Sequence, residues 1–229
     1  MGPSARKEFG QDDGTWSRGT QCAQAAAISA GFVTPDLREK SAQKLVTSIE
    51  TNKCLLTCGI LGVKWLFRAL SETGHGDLAI KMLRQTERPS FGDWLANGAT
   101  TAWESWKGAA SQNHIMFGDV SAWLMQYPGG IRLVEPGFRK FLLVPDIAGL
   151  DWVKVAHECP YGTIRSEWRK EGGRFTWLVE VPPNTTARVV LPDGLKDAVA
   201  PVGAREAGRA SWLVGSGVWR WEAVADKRH

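Results

Sequence analysis

The chain has 229 residues, 43% of them hydrophobic and 23% charged, with a formal net charge of +4. This is the composition of a globular protein with one large domain or two smaller ones and a substantial core. Lys and Arg alternate with Asp and Glu, which argues against a nucleic-acid or membrane-surface protein, and no stretch reaches the roughly 18 consecutive apolar residues of a membrane span.

The segment from Met1 to Gly14 has no apolar core of a secretory signal, so a cytoplasmic location is expected. Cys22, Cys54, Cys58 and Cys159 are too few and too scattered for a disulfide framework. Cys54 and Cys58 lack a second Cys or His pair at zinc-ligand spacing, so they read as buried free thiols, with no metal or other cofactor implied.

Up to about Gly130 the pattern is helical. Thr20 to Phe32 is a small-residue helix suited to close helix–helix contact. Pro35 and Asp36 open the next, whose stripe is Leu37, Leu45, Val46 and Ile49. A third runs from Gly62 to Thr73 and stops at Gly74, and Asp77 opens a fourth with Leu78, Met82 and Leu83. Ser90 to Ala96 is one short turn of helix, and Asn113 to Tyr127 a fifth long helix turning Phe117, Val120, Trp123 and Leu124 inward.

From residue 131 on the period becomes two, with short runs separated by Pro, Gly and Asn turns. Residues 141–144, 151–157, 162–169, 175–181, 187–191, 210–214 and 219–224 read as strands, and Asp197 to Arg209 as a long loop. The expected fold class is α then β: a helical part, 1–130, followed by an antiparallel β-sandwich, 131–229.

Twelve tryptophans stand against two tyrosines. The most informative stretch is Gly98-Ala99-Thr100-Thr101-Ala102-Trp103-Glu104-Ser105-Trp106, which sets one carboxylate between two indoles. Indole faces stack on the C–H faces of sugars, and a carboxylate among them can act on water or a glycosidic oxygen. A salt-bridged Glu between buried indoles remains equally open. If residues 102–106 are extended, Trp103 and Trp106 face different sides. His114, at the expected helix start, either joins Glu104 in holding sugar hydroxyls or a water, or caps its helix through a backbone carbonyl. Elsewhere the chemistry is thin. His75 is a turn residue, Gly59–Gly62 lacks a phosphate-loop Lys, Ser105 and Ser111 sit in no nucleophile elbow, and Asn184-Thr185-Thr186 reads as a turn.

These residues resemble the bacterial α-L-rhamnosidases of glycoside hydrolase family 78. The resemblance is carried by Thr20-Gln21-Cys22-Ala23-Gln24-Ala25, Leu56-Thr57-Cys58-Gly59-Ile60-Leu61-Gly62, Leu70-Ser71-Glu72-Thr73-Gly74 and Pro89-Ser90-Phe91-Gly92. It continues through 98–106, Asn113-His114-Ile115-Met116-Phe117-Gly118 and Trp123-Leu124. In the second half it rests on Pro136-Gly137-Phe138-Arg139, Ser166-Glu167-Trp168 and 181–187. The family implies an (α/α)6 barrel closed by a C-terminal β-sandwich, hydrolysing terminal α-L-rhamnosides with inversion.

On that resemblance Glu104 matches the general base, His114 a histidine of the rhamnose pocket, and Trp103 and Trp106 its flanks. Inversion needs a second carboxyl group about 6.5–9.5 Å from the base. The family's acid sits in an Asp-x-Cys-Pro-Gln-Arg-Asp-Glu motif that this sequence lacks, its one Cys-Pro being Cys159-Pro160. The chain therefore looks like the last helical pairs of a partial (α/α)6 toroid plus the sandwich. Its implied partners are a rhamnosylated glycoside and either an N-terminal half-enzyme or a second copy. Half a barrel is expected to expose an apolar face, with Trp65, Leu66, Phe67 and Leu70 as candidates. The alternative is a non-catalytic carbohydrate- or partner-binding module, and a hydrolase acting on another sugar is a third reading.

Overall fold

A computed structural model describes residues 2–147 and 149–225. The chain falls into two compact units, residues 1–123 and 124–229.

The first unit is helical. Its elements are α1 (Gly2–Phe9), α2 (Gln21–Ser29), α3 (Arg38–Thr51), α4 (Ile60–Glu72), α5 (Gly76–Leu83) and α6 (Phe91–Ala96), and α7 (Asp119–Gln126) leads into the second unit. Capping marks several starts. The Thr20 hydroxyl accepts from the N–H of Ala23 at 3.2 Å and Ser90 from Asp93 at 3.0 Å, each satisfying a first-turn donor. Pro35 opens a short 3-10 turn, Pro35–Leu37, that runs into α3. The helix α1 was not expected, because its sequence has no apolar stripe.

α4 carries the packing. Val63, Leu66, Phe67 and Leu70 recur at helical spacing and are all buried. Of the expected exposed face, Leu66, Phe67 and Leu70 are instead covered inside the unit, with the Phe67 ring 5.3 Å from that of Trp123, while Trp65 is half-buried. Exposed apolar side chains of this unit include Phe9, Leu61, Leu95 and Ile115, the last at 87%. α2 approaches α4 closely because Gly62 has no side chain; a Cβ there would lie 2.8 Å from both Cys22 Sγ and Cys58 Cβ.

Two glutamines of the 20–25 motif knit the unit together. Gln24 is fully buried and donates to the carbonyls of Gly14 and Ser41, at 3.1 and 3.2 Å. Gln21 donates to Leu55 O and accepts from Thr57 N, both at 3.0 Å. Buried amides are stable only when paired, and these pairings clamp loops onto α2.

The expected helix from Asn113 to Tyr127 is shorter. Asn113 and His114 are non-helical, a 3-10 turn spans Ile115–Gly118, and α7 begins at Asp119. The cause is a competing bond: His114 N–H donates to Ala102 O at 2.7 Å, which holds His114 extended. Phe117 and Trp123 turn inward as expected, but Leu124 is 38% exposed.

The second unit is a sandwich of two five-stranded sheets. Its strands are β1 (Ile131–Leu133), β2 (Lys140–Leu143), β3 (Trp152–Cys159), β4 (Gly162–Glu171), β5 (Arg174–Val181), β6 (Thr186–Val190), β7 (Leu195–Val199), β8 (Arg205–Gly208), β9 (Ser211–Val214) and β10 (Gly217–Ala225). One sheet runs β1-β2-β6-β9-β8 and the other β3-β4-β5-β10-β7. All neighbours are antiparallel except β2 and β6.

The inward rows alternate as the sequence requires: Ile164, Ser166 and Trp168 on β4, and Phe175, Trp177, Val179 and Val181 on β5. They meet Phe141, Leu143, Ala187 and Val189 of the other sheet in one core. The loop expected over 197–209 is corrected, since β7 and β8 lie there. Both are sheet edges with nearly every side chain in solvent, so they carry no period-two signal.

Candidate active site

The candidate site is a loop that leaves α6 and returns before α7. Its two arms are tied by backbone bonds, Glu104 N–H to Ser111 O at 2.8 Å and His114 N–H to Ala102 O at 2.7 Å. Thr101 Oγ1 adds a bond to Gln112 O. Pairing the arms this way brings positions ten apart in sequence side by side.

The result is that Glu104 Oε2 lies 3.9 Å from His114 Nδ1. Oε2 also accepts from the Ser111 N–H at 3.2 Å, while Oε1 has no partner among the described residues. The Glu104 side chain is 40% exposed and that of His114 29%. His114 Nε2 is buried and has no hydrogen-bond partner among the described residues, and the same is true of Ser105 Oγ. His114 makes no capping bond to its turn. An unpaired buried ring nitrogen beside a half-open carboxylate leaves an unmet need that a hydroxyl or water can fill.

The indoles are placed differently from an extended strand. Residues 104–108 turn, closed by the Gly108 N–H to Ser105 O bond at 3.0 Å, so Trp103 and Trp106 fall against the same neighbour. Trp94 of α6 lies 5.6 Å from Trp103 and 4.8 Å from Trp106. Phe91 and Phe117 complete the cluster around Trp106, at 5.5 and 4.4 Å. Trp106 Nε1 donates to Cys58 O at 2.7 Å, and Trp94 Nε1 to Trp106 O at 3.3 Å. Gly108, at φ 65°, passes so close to Trp103 that a Cβ would sit 2.8 Å from two of its ring carbons. The loop is thus pinned from below by aromatic rings, with its carboxylate and imidazole left on top.

The sequence had marked Glu104, His114, Trp103 and Trp106, and the structure gathers all four into one loop and its support. It adds Ser111, whose N–H holds the carboxylate, and the ring trio Phe91, Trp94 and Phe117. Only the spacing of Phe91 and Trp94, one helical turn apart, hinted at that trio. Arg68 and Asp119 form a half-buried ion pair at 3.2 Å that steadies the start of α7. No group of three or more potential metal ligands occurs among the described residues, and none of their helices is long and apolar enough to cross a membrane.

Comparison with known proteins bears on what this loop does. Residues 4–127 match the family model of the bacterial alpha-L-rhamnosidase 6 hairpin glycosidase domain, and 130–206 that of the bacterial alpha-L-rhamnosidase C-terminal domain. An alpha-L-rhamnosidase of Streptomyces avermitilis is 32% identical over 225 residues, covering 91% of this chain and 22% of the relative. One from Alteromonas sp. (strain LOR) is 28% identical over 239 residues, covering 98% of the chain and 26% of the relative. The crystal structure of the Streptomyces avermitilis alpha-L-rhamnosidase complexed with L-rhamnose superposes with a TM-score of 0.84 at 30% identity, covering 95% of this chain and 23% of that one. The chain therefore spans about a quarter or less of the length of the Streptomyces relative.

Proposed function

The chain belongs to the bacterial α-L-rhamnosidase family, and we propose that it carries the water-activating half of an inverting site for terminal α-L-rhamnosides. Glu104 is the general base, deprotonating the water that attacks the anomeric carbon while the glycosidic bond breaks. His114 offers its unpaired Nε2 to a sugar hydroxyl. Trp103 and Trp106 flank the pocket and hold the loop that presents both groups. The observation that carries this reading is the 3.9 Å approach of Glu104 Oε2 to His114 Nδ1, with Oε1 and Nε2 both without a partner among the described residues.

The leaving oxygen needs a proton from a second carboxylic acid on the opposite side of the sugar. The Cys-Pro-Gln-Arg-Asp-Glu motif that supplies it in the family does not occur in this sequence. The proposed partner is accordingly a polypeptide that carries that acid.

The test is complementation. The chain is mixed with the separately produced preceding part of the Streptomyces avermitilis relative, and hydrolysis of an aryl α-L-rhamnoside is followed by release of the phenol, with the anomer of the rhamnose product identified by NMR. Gain of inverting hydrolysis, lowered about 10²–10⁴-fold by Glu104→Gln, is expected. No gain over either half alone ends the catalytic reading.

The missing acid motif also favours a second reading, a non-catalytic rhamnose-binding module. It predicts saturable quenching of tryptophan fluorescence by L-rhamnose, unchanged by Glu104→Gln, with no hydrolysis after complementation.

A further inference from the structure

Four strands end the two sheets, β1 and β8 in one, β3 and β7 in the other. Unpaired edges invite other chains, and proteins blunt them by shortness or by bulges. β1 has only 3 residues. The pairings of β7 with β10 and of β8 with β9 are each broken by a register shift. β3 has neither device: its 8 residues contain no proline and pair with β4 without a shift.

The register fixes which backbone groups β3 leaves open. Lys170 N–H donates to Asp151 O at 2.7 Å, so Asp151 faces β4. Bonded positions alternate along an antiparallel pair, which turns the backbone groups of Val153, Val155, His157 and Cys159 towards β4 as well. Trp152, Lys154, Ala156 and Glu158 therefore aim their N–H and C=O at the free edge. Their side chains share the outer face of the sheet and all four are exposed. Lys154 reaches Glu167 at 3.6 Å and Glu158 accepts from Thr163 Oγ1 at 2.7 Å, contacts across to β4 that keep both side chains on this face.

This edge is its own complement. A second β3, turned about a two-fold axis at Ala156, lies antiparallel to the first, with Lys154 opposite the partner's Glu158 and Glu158 opposite the partner's Lys154. All these positions are of the bonding kind, so each opposed pair exchanges two N–H···O bonds. The two ion pairs form on the outer face with only the small Ala156 side chains between them, and the indole of Trp152, 57% exposed, falls beside the partner's Pro160. A slip by two residues either way sets Lys154 opposite the partner's Ala156 or Pro160 and loses both ion pairs, so charge selects this register.

We propose that β3 is a self-association edge, at which two copies of the chain pair antiparallel about Ala156 and join their five-stranded sheets into one continuous sheet. The interface lies wholly within the sandwich unit and is independent of Glu104. One strand pair buries less than the roughly 1,200 Å² of a standard interface, so the dimer is weak and concentration-dependent.

Sedimentation of the full chain from about 5 to 500 µM should show a reversible monomer–dimer equilibrium. Hydrogen exchange at the amides of Lys154, Ala156 and Glu158 should slow as concentration rises, while that of β7 and β8 stays unchanged. Lys154→Glu and Glu158→Lys each set like charges opposite one another and should weaken the dimer at least about tenfold. Mixed in equal amounts the two variants are complementary again, and they should associate about as tightly as the parent. Ala156→Pro removes the N–H at the axis and should abolish pairing. Melting curves separate misfolding from lost pairing, and the two charge variants, at exposed positions, serve if Ala156→Pro unfolds. A monomer throughout the range, charge variants that dimerise as tightly as the parent, or a mixture that associates no better than its components overturns the proposal. So does a dimer whose exchange protection falls on β7 or β8, since self-association would then use another edge.

Discussion

Glu104 Oε2 stands 3.9 Å from His114 Nδ1 because two backbone bonds, from Glu104 N–H to Ser111 O and from His114 N–H to Ala102 O, fold the intervening residues back. The backbone and the rings beneath hold the loop, and the Glu104 carboxylate adds one bond, from the Ser111 N–H at 3.2 Å.

Removing the carboxylate should therefore spare the fold. Glu104→Gln keeps an oxygen to accept the Ser111 N–H, and the side chain is half in solvent. Its melting midpoint is expected within about 2 °C of the parent. A much larger fall would mean that the carboxylate is structural.

Gly108→Ala should do the opposite. The added methyl meets the Trp103 ring at 2.8 Å, on a backbone with φ 65° where side chains cost about 1–2 kcal/mol before any clash. We expect a loss of about 2–4 kcal/mol in denaturant unfolding, with a changed near-ultraviolet dichroism from the displaced indole. Stability equal to the parent would contradict the close approach.

In the sandwich, Trp177 Nε1 donates to Ser166 Oγ at 2.9 Å, and both residues are fully buried. Trp177→Phe removes the donor and some volume and should cost about 2–4 kcal/mol. Adding Ser166→Ala should recover part of that loss, because the stranded hydroxyl goes too. Strict additivity in the double-mutant cycle would refute the coupling.

The Cys58 thiol supplies a pH signature. Burial, helped by the neighbouring Cys22 thiol, pushes it from 9.0 up to about 12. Its contribution is fully present below about pH 9, because both folded and unfolded thiols are then protonated. As pH climbs from about 9 towards 12 the unfolded thiol ionises first, and stability is lost. Urea titrations should show Cys58→Ala losing less stability than the parent over that window; parallel curves would dismiss the effect.

How much of this was legible beforehand depended on whether each signal was local. The order of helices then strands showed in the sequence because amphipathic periods, Pro and Gly punctuation and capping residues such as Thr20 and Ser90 act over a few positions. Glu104 and His114 could be singled out by their motifs and by the resemblance those motifs carry. The strands β7 and β8 could not, because edge strands bury no face. The start of the fifth helix is not legible locally because the bond from His114 N–H to Ala102 O, a residue outside any helical window, competes with it and delays α7 to Asp119.

The sequence alone determined the class of fold, the chemistry available to the loop and the family it resembles, all of which follow from residue type and spacing. Only the tertiary structure decided that Trp103 and Trp106 share Trp94 as a support and that Leu66, Phe67 and Leu70 are covered. Those outcomes depend on which segments meet across the chain, and contact between distant residues leaves no periodicity for local reading to find.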